Sequence, residues 1–192
     1  ALGIGPVASE SMADKFVPEL VNCDANLLQL ADHLAAPSAS RHWSLCLYGV
    51  AGSGKSEFAR YLASRLGMEV IQKRASDLLS PYVGRSEKQI AEAFREARTR
   101  KAMLIFDEAD SLLSDRRNAK HRWEISQVNE MLTWMESHAF PFVCTTNLME
   151  YLDQASLRRF TLKLKFDALM PVQASHAFEH FFGLKSQRRL PE

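Results

Sequence analysis

Apolar residues recur along this chain in two rhythms, short unbroken runs and helical repeats, and the two alternate. Ser44 to Tyr48, Ala102 to Phe106 and Phe140 to Thr145 are largely apolar. Runs of that length without polar alternation suit strands buried on both faces. Met68 to Ile71 and Leu162 to Phe166 are two weaker strand candidates. Between the runs, Phe58, Leu62 and Leu66, then Ile90, Phe94 and Ala97, then Ile125, Val128, Leu132 and Met135 repeat at the spacing of one helix face. Leu27, Leu28, Ala31 and Leu34 make an earlier helical stripe with Asp24 as its expected N-cap, and Ala174, Phe178, Phe181 and Phe182 make a last one. Gly67 is placed to stop a helix, and Ser86-x-x-Gln89 has the form of a capping box. Buried strands alternating with helices predict an α/β fold with a mostly parallel sheet and ligands at the carboxyl ends of the strands.

Composition changes this picture little. At 192 residues the chain suits one domain with a full core. Lysine plus arginine number 24 against 23 acids, and a formal charge of +1 argues against a protein built mainly to coat nucleic acid. Charge is uneven, with Glu10, Asp14, Glu19, Asp24 and Asp32 near the amino end and a basic carboxyl end. Cys23, Cys46 and Cys144 are widely spaced and read as reduced thiols, so a cytoplasmic location is expected. No run of 18 apolar residues occurs, and neither secretion nor membrane insertion is expected.

The chemistry starts at Gly49-Val50-Ala51-Gly52-Ser53-Gly54-Lys55-Ser56, which matches G-x-x-x-x-G-K-[ST] and sits between a strand candidate and a helical repeat. Its glycines let backbone N–H groups converge on phosphate, and the following helix offers its own free N–H groups and positive dipole end. Lys55 is the expected partner of the β- and γ-phosphates, Ser56 a ligand of Mg2+, and Glu57 a further nucleotide contact. Asp107 and Glu108 close the most apolar strand candidate. Asp107 suits the metal, and Glu108 suits the role of general base toward an attacking water. Asn147 follows the next strand and is placed to sense the γ-phosphate. Arg158 and Arg159 lie further along and suit action in trans on a neighbour's nucleotide. The Asn-Lys-x-Asp element of GTPases is missing.

From about Val21 to Met170 the chain resembles the AAA ATPases, a clade of the AAA+ P-loop ATPases. Beyond the phosphate loop and Leu104 to Glu108, the likeness includes Tyr82-Val83-Gly84-x-Ser86-Glu87-Lys88, Val128 to Met135, Thr145-Thr146-Asn147, and Leu152 to Phe160. The resemblance implies a P-loop NTPase three-layer sandwich with a five-stranded parallel sheet in the order 5-1-4-3-2. It makes residues 21–170 a large nucleotide-binding subdomain and 171–192 the beginning of a helical lid, while residues 1–20, which carry Gly3, Gly5, Pro6 and Pro18 and no sustained period, are expected to form an extended arm.

It also implies ATP and ADP as ligands with Mg2+, a homo-oligomeric ring, expected to be a hexamer, and nucleotide between subunits. Asn147 becomes sensor 1 and Arg159 the arginine finger, with Arg158 beside it. Tyr82, Val83 and Gly84 become a pore loop that grips a polypeptide, and Asp115 to Arg122 a second, basic one. Two departures stand out. Pro81 occupies a position where relatives carry lysine or another polar residue, and the Gly-Arg pair expected after Phe160 is missing, so a second finger is absent or displaced. The expected function is ATP hydrolysis coupled, in a longer protein, to protein remodelling. Two rival readings remain, an AAA+ machine acting on nucleic acid and a nucleotide-dependent assembly switch without significant hydrolysis.

Overall fold

The computed structural model of the chain describes residues 16–80, 82, 84–119 and 121–183. The strands are β1 (Asn22–Cys23), β2 (Ser44–Gly49), β3 (Val70–Arg74), β4 (Met103–Asp107), β5 (Phe142–Thr146) and β6 (Leu162–Asp167). The helices are α1 (Leu27–Ala35), α2 (Lys55–Arg65), α3 (Ala75–Leu78), α4 (Arg85–Arg100), α5 (Arg122–Ser137), α6 (Gln154–Arg159) and α7 (Pro171–Phe182). Five parallel strands lie side by side as β6-β2-β5-β4-β3, which is the expected 5-1-4-3-2 order. The sheet has a sixth member that periodicity did not predict: β1 adds antiparallel to β6, with Asn22 opposite Asp167 and Cys23 opposite Phe166.

That short strand is held by polar side chains, which is why no apolar pattern announces it. Asn22 donates its side-chain amide to Ala168 O at 2.7 Å. The Asp24 carboxylate, expected to cap α1, instead accepts the Lys165 N–H at 2.9 Å. The cap falls to Asn26, whose side chain accepts from Gln29 N. A second correction concerns Ser86. Helix α4 begins after Gly84, which takes a left-handed φ of 79°, so Ser86 lies inside the first turn. Its hydroxyl turns back to accept the Ser80 N–H at 2.9 Å, and the expected box with Gln89 does not form.

Strand residues alternate between two cores. Cys46, Ile71, Leu104, Phe106 and Cys144 pack beneath α4 and α5, whereas Leu45, Leu47, Ile105, Val143 and Phe166 pack beneath α1 and α2. Both faces of the sheet are thus covered, as a parallel sheet requires. Strand β3 is an edge strand, so its second half can be polar, and pairing runs on from Val70 opposite Met103 to Arg74 opposite Asp107. Helix α7 buries none of its residues and leaves Val172, Phe178, Phe181 and Phe182 exposed. Among the described residues no helix is long and apolar enough to cross a membrane.

His138 ends α5 fully buried, edge-on to Phe94 at 5.1 Å, and neither ring nitrogen has a partner among the described residues. Burial, helped by the charges of Arg98 and His42, pulls its pKa down to about 4 from 6.5. The unfolded chain therefore takes up a proton in that window which the folded chain refuses. Stability is retained above pH 6.5 and falls as pH drops toward 4, by up to about 1.4 kcal/mol per pH unit. His138→Leu is expected to flatten this part of the denaturation profile. An unchanged slope would assign the acid sensitivity to other groups.

Candidate functional site

The phosphate loop owes its shape to close backbone packing. Gly49 leaves β2 at φ 128°, and a Cβ there would stand 1.9 Å from the Phe166 carbonyl oxygen, so no other residue fits. That same carbonyl accepts the Val50 N–H at 3.2 Å and ties the loop to β6. Gly54 takes φ 92° as the N-cap of α2. Lys55 is then the first helical residue, and although buried it is fully partnered. Its Nζ donates to Gly49 O at 2.9 Å, to Val50 O at 2.7 Å and to Asn147 Oδ1 at 2.9 Å. Burial lowers its pKa, against the opposing pull of Asp107 and Asp110.

Asp107 stands at the end of β4 with both oxygens engaged. Oδ1 accepts Ser56 Oγ at 2.7 Å and Thr145 Oγ1 at 2.5 Å, and Oδ2 accepts Gln72 Nε2 at 3.1 Å. Burial alone would raise its pKa, but the bonds from Thr145, Ser56 and Gln72 and the nearby Arg60 charge outweigh it and hold the carboxyl below its ordinary value. The next residue, Glu108, is exposed and left-handed at φ 55°, a conformation costing on the order of 1–3 kcal/mol. Its N–H donates to Thr145 Oγ1 at 3.1 Å, which helps to stabilise that turn.

Asn147 is positioned by a residue that sequence reasoning passed over. The Asp110 carboxylate accepts from the Thr146 hydroxyl and, at 3.3 Å, from the Leu148 N–H, and so holds both neighbours of Asn147. An acid two places after Glu108 was its signal. Residues 51 to 57, Asp107, Glu108 and Thr145 to Asn147 together line a cavity of about 380 Å3. Beside it lies a larger, mostly apolar cleft of about 660 Å3, lined by Phe16, Val17, Val21, Val50, Leu169 and Phe181 and sharing Gly52, Ser53 and Glu57 with the first. Val50 belongs to the phosphate loop and Phe181 to the last helical stripe, whereas Phe16, Val17, Val21 and Leu169 come from the two ends of the described chain with no spacing that marked them. A polar phosphate cavity joined to an apolar cleft of this size matches the two halves of a nucleotide.

The arginines lie elsewhere. The Ser44 hydroxyl, at the start of β2, donates to Arg159 O at 3.1 Å, so Arg159 sits at the opposite end of β2 from the loop, one strand length or about 16 Å away. Its guanidinium donates to Glu136 at 2.7 Å and to Ala155 O at 2.9 Å. Arg158 is exposed beside it. Tyr82 is 69% exposed and shares a small cavity with Gly84 and Trp123, which lies in α5 one residue past the basic stretch. Val83, Pro81 and Lys120 lie outside the described residues.

A family model described as "ATPase family associated with various cellular activities (AAA)" matches residues 45–168. The chain belongs to the AAA ATPase family. Spastin of Drosophila melanogaster and of Drosophila erecta is 32% identical over 168 residues, and spastin of Drosophila virilis 31% over 166. Each match covers 82% of this chain and 21% of the relative, so the chain spans about a fifth of the length of the curated relatives it matches. The AAA match takes in all five parallel strands, the phosphate loop, Asp107, Glu108, Asn147 and Arg159.

If the apolar cleft takes the nucleoside, Phe16→Ala should lower affinity for ATP about tenfold and leave affinity for inorganic tripolyphosphate unchanged. Calorimetric titration of both ligands would decide, and equal losses for the two would place the effect in the loop instead.

Proposed function

We propose that this AAA domain hydrolyses ATP and, in a longer protein, couples hydrolysis to remodelling a polypeptide held in the pore of a ring. One observation supports this most directly: Lys55, Ser56, Asp107, Glu108 and Asn147, drawn from three strand ends, line a single cavity at the carboxyl edge of the sheet. Magnesium fits this donor set, because Ser56 Oγ and the Asp107 carboxylate are hard oxygen ligands 2.7 Å apart. Among the described residues no cluster of three or more His, Cys, Asp or Glu side chains could form an all-protein cage, and magnesium needs none when phosphate and water complete its shell. Bound there, it withdraws charge from the β- and γ-phosphate oxygens.

The chain's own groups do the rest. The Lys55 ammonium exchanges carbonyl contacts for phosphate oxygens while Asn147 Oδ1 keeps hold of it. That leaves the Asn147 NH2 free to donate to the γ-phosphate or to the attacking water. The Glu108 carboxylate accepts the proton of that water as its oxygen bonds to phosphorus and the β–γ bridging bond breaks. Catalysis is positional and electrostatic, with no covalent intermediate. Arg159 is one strand length from its own loop and therefore serves a neighbouring subunit, once released from Glu136. The exposed Tyr82, beside Trp123, is suited to contact an extended polypeptide.

Glu108→Gln should keep ATP binding and lower phosphate release at least 10²-fold. Lys55→Ala should abolish nucleotide binding. Undiminished turnover in the first variant would remove Glu108 from its role. Arg159→Ala should lower turnover about 10³-fold in assembled protein without weakening ATP binding, and an equal loss of binding would contradict action in trans.

A further inference from the structure

Asp107 Oδ2 faces away from Ser56 and Thr145, and the group that holds it comes from β3. Gln72 Nε2 donates to it at 3.1 Å. The same amide accepts, through Oε1, the Arg60 Nη1–H at 2.6 Å. Arg60 is itself fixed one turn along α2 by Glu57, to which it donates through Nε at 3.3 Å and through Nη2. A hydrogen-bonded chain thus runs from Glu57, which lines both the nucleoside cleft and the phosphate cavity, through Arg60 and Gln72 to Asp107.

The residue types explain why an amide stands in the middle. A guanidinium can only donate and a carboxylate can only accept, so a group joining them must accept on one side and donate on the other. A glutamine does this in one orientation only, with Oε1 toward Arg60 and Nε2 toward Asp107. A glutamate there would repel Asp107. A lysine, or Arg60 itself at closer range, would form an ion pair with Asp107 and compete with a divalent cation for its charge. The neutral amide passes on orientation and leaves the carboxylate's charge available.

We propose that Gln72, oriented by Arg60, is a positioning residue for the metal-side carboxylate, holding Asp107 with Oδ1 toward Ser56 so that the site takes magnesium–ATP more tightly than ATP alone. This rests on the magnesium–ATP reading above. It adds to that reading a residue outside the phosphate loop and the acidic pair, on an edge strand whose apolar pattern gave Gln72 no role. Because Gln72 is exposed, water replaces its amide at Oδ2 when it is lost, so the effect is moderate.

The test is titration of a fluorescent ATP analogue with magnesium present and with EDTA, on the wild type, Gln72→Leu, Arg60→Met and the double variant. Gln72→Leu is expected to bind as the wild type does in EDTA and to lose about 3- to 10-fold of the affinity gained with magnesium. Arg60→Met should lose less, and adding it to Gln72→Leu should cost less than the two single effects combined, because both act through one amide. Thermal midpoints of all four proteins confirm that each is folded. A magnesium gain in Gln72→Leu equal to that of the wild type, or an equal loss with and without magnesium, would overturn the positioning role. A wild type that gains nothing from magnesium would overturn the magnesium–ATP reading and this inference with it.

Discussion

A buried ammonium must keep its hydrogen bonds, and the site depends on how Lys55 meets that constraint. Its three donors reach two loop carbonyls and Asn147, so one side chain ties the turn after β2 to the turn after β5. An ammonium buried there without such acceptors would be desolvated without compensation, a large penalty in a protein interior. The loop is thus closed around Lys55 by the contacts of its own carbonyls.

The carboxylates beside it follow the same logic with opposite sign. Thr145 uses one hydroxyl twice, donating to Asp107 and accepting from the Glu108 N–H, which joins β4 to β5 where their polar ends meet. Three neutral donors hold the Asp107 carboxyl below its ordinary pKa, and Gln72 stands between it and the Arg60 guanidinium. Glu108 lines the same cavity from a left-handed, strained backbone and is exposed. Within two adjacent residues the fold thus sets a fully hydrogen-bonded carboxylate beside an exposed one.

Arg159 shows the limit of what one chain contains. Its pairing with Glu136 lies beyond the amino end of the sheet, while every group that contacts the phosphate cavity lies at the carboxyl end. The Arg159 guanidinium is engaged by Glu136 and Ala155 O and contributes nothing to the phosphate cavity of its own chain. The apolar surface of α7, which reaches the apolar cleft through Phe181, is a second place where the described residues leave a face uncovered.

The sequence by itself determined the five parallel strands, their order through family likeness, and the residues of the phosphate loop and acidic pair. Buried strands need unbroken apolar runs, and phosphate binding needs glycine and lysine at fixed spacing, so both leave a local record. It misplaced the cap at Asp24 and the box at Ser86, because each side chain found a different partner: Asp24 the distant Lys165 N–H on β6, and Ser86 the Ser80 N–H of the loop just before its helix. The short strand β1, the apolar cleft beside the phosphate loop, the Asp110 brace and the Gln72 bridge were decided only by tertiary structure. Each joins residues far apart in the chain through single polar contacts or scattered apolar ones, and such contacts have no period for a sequence to display.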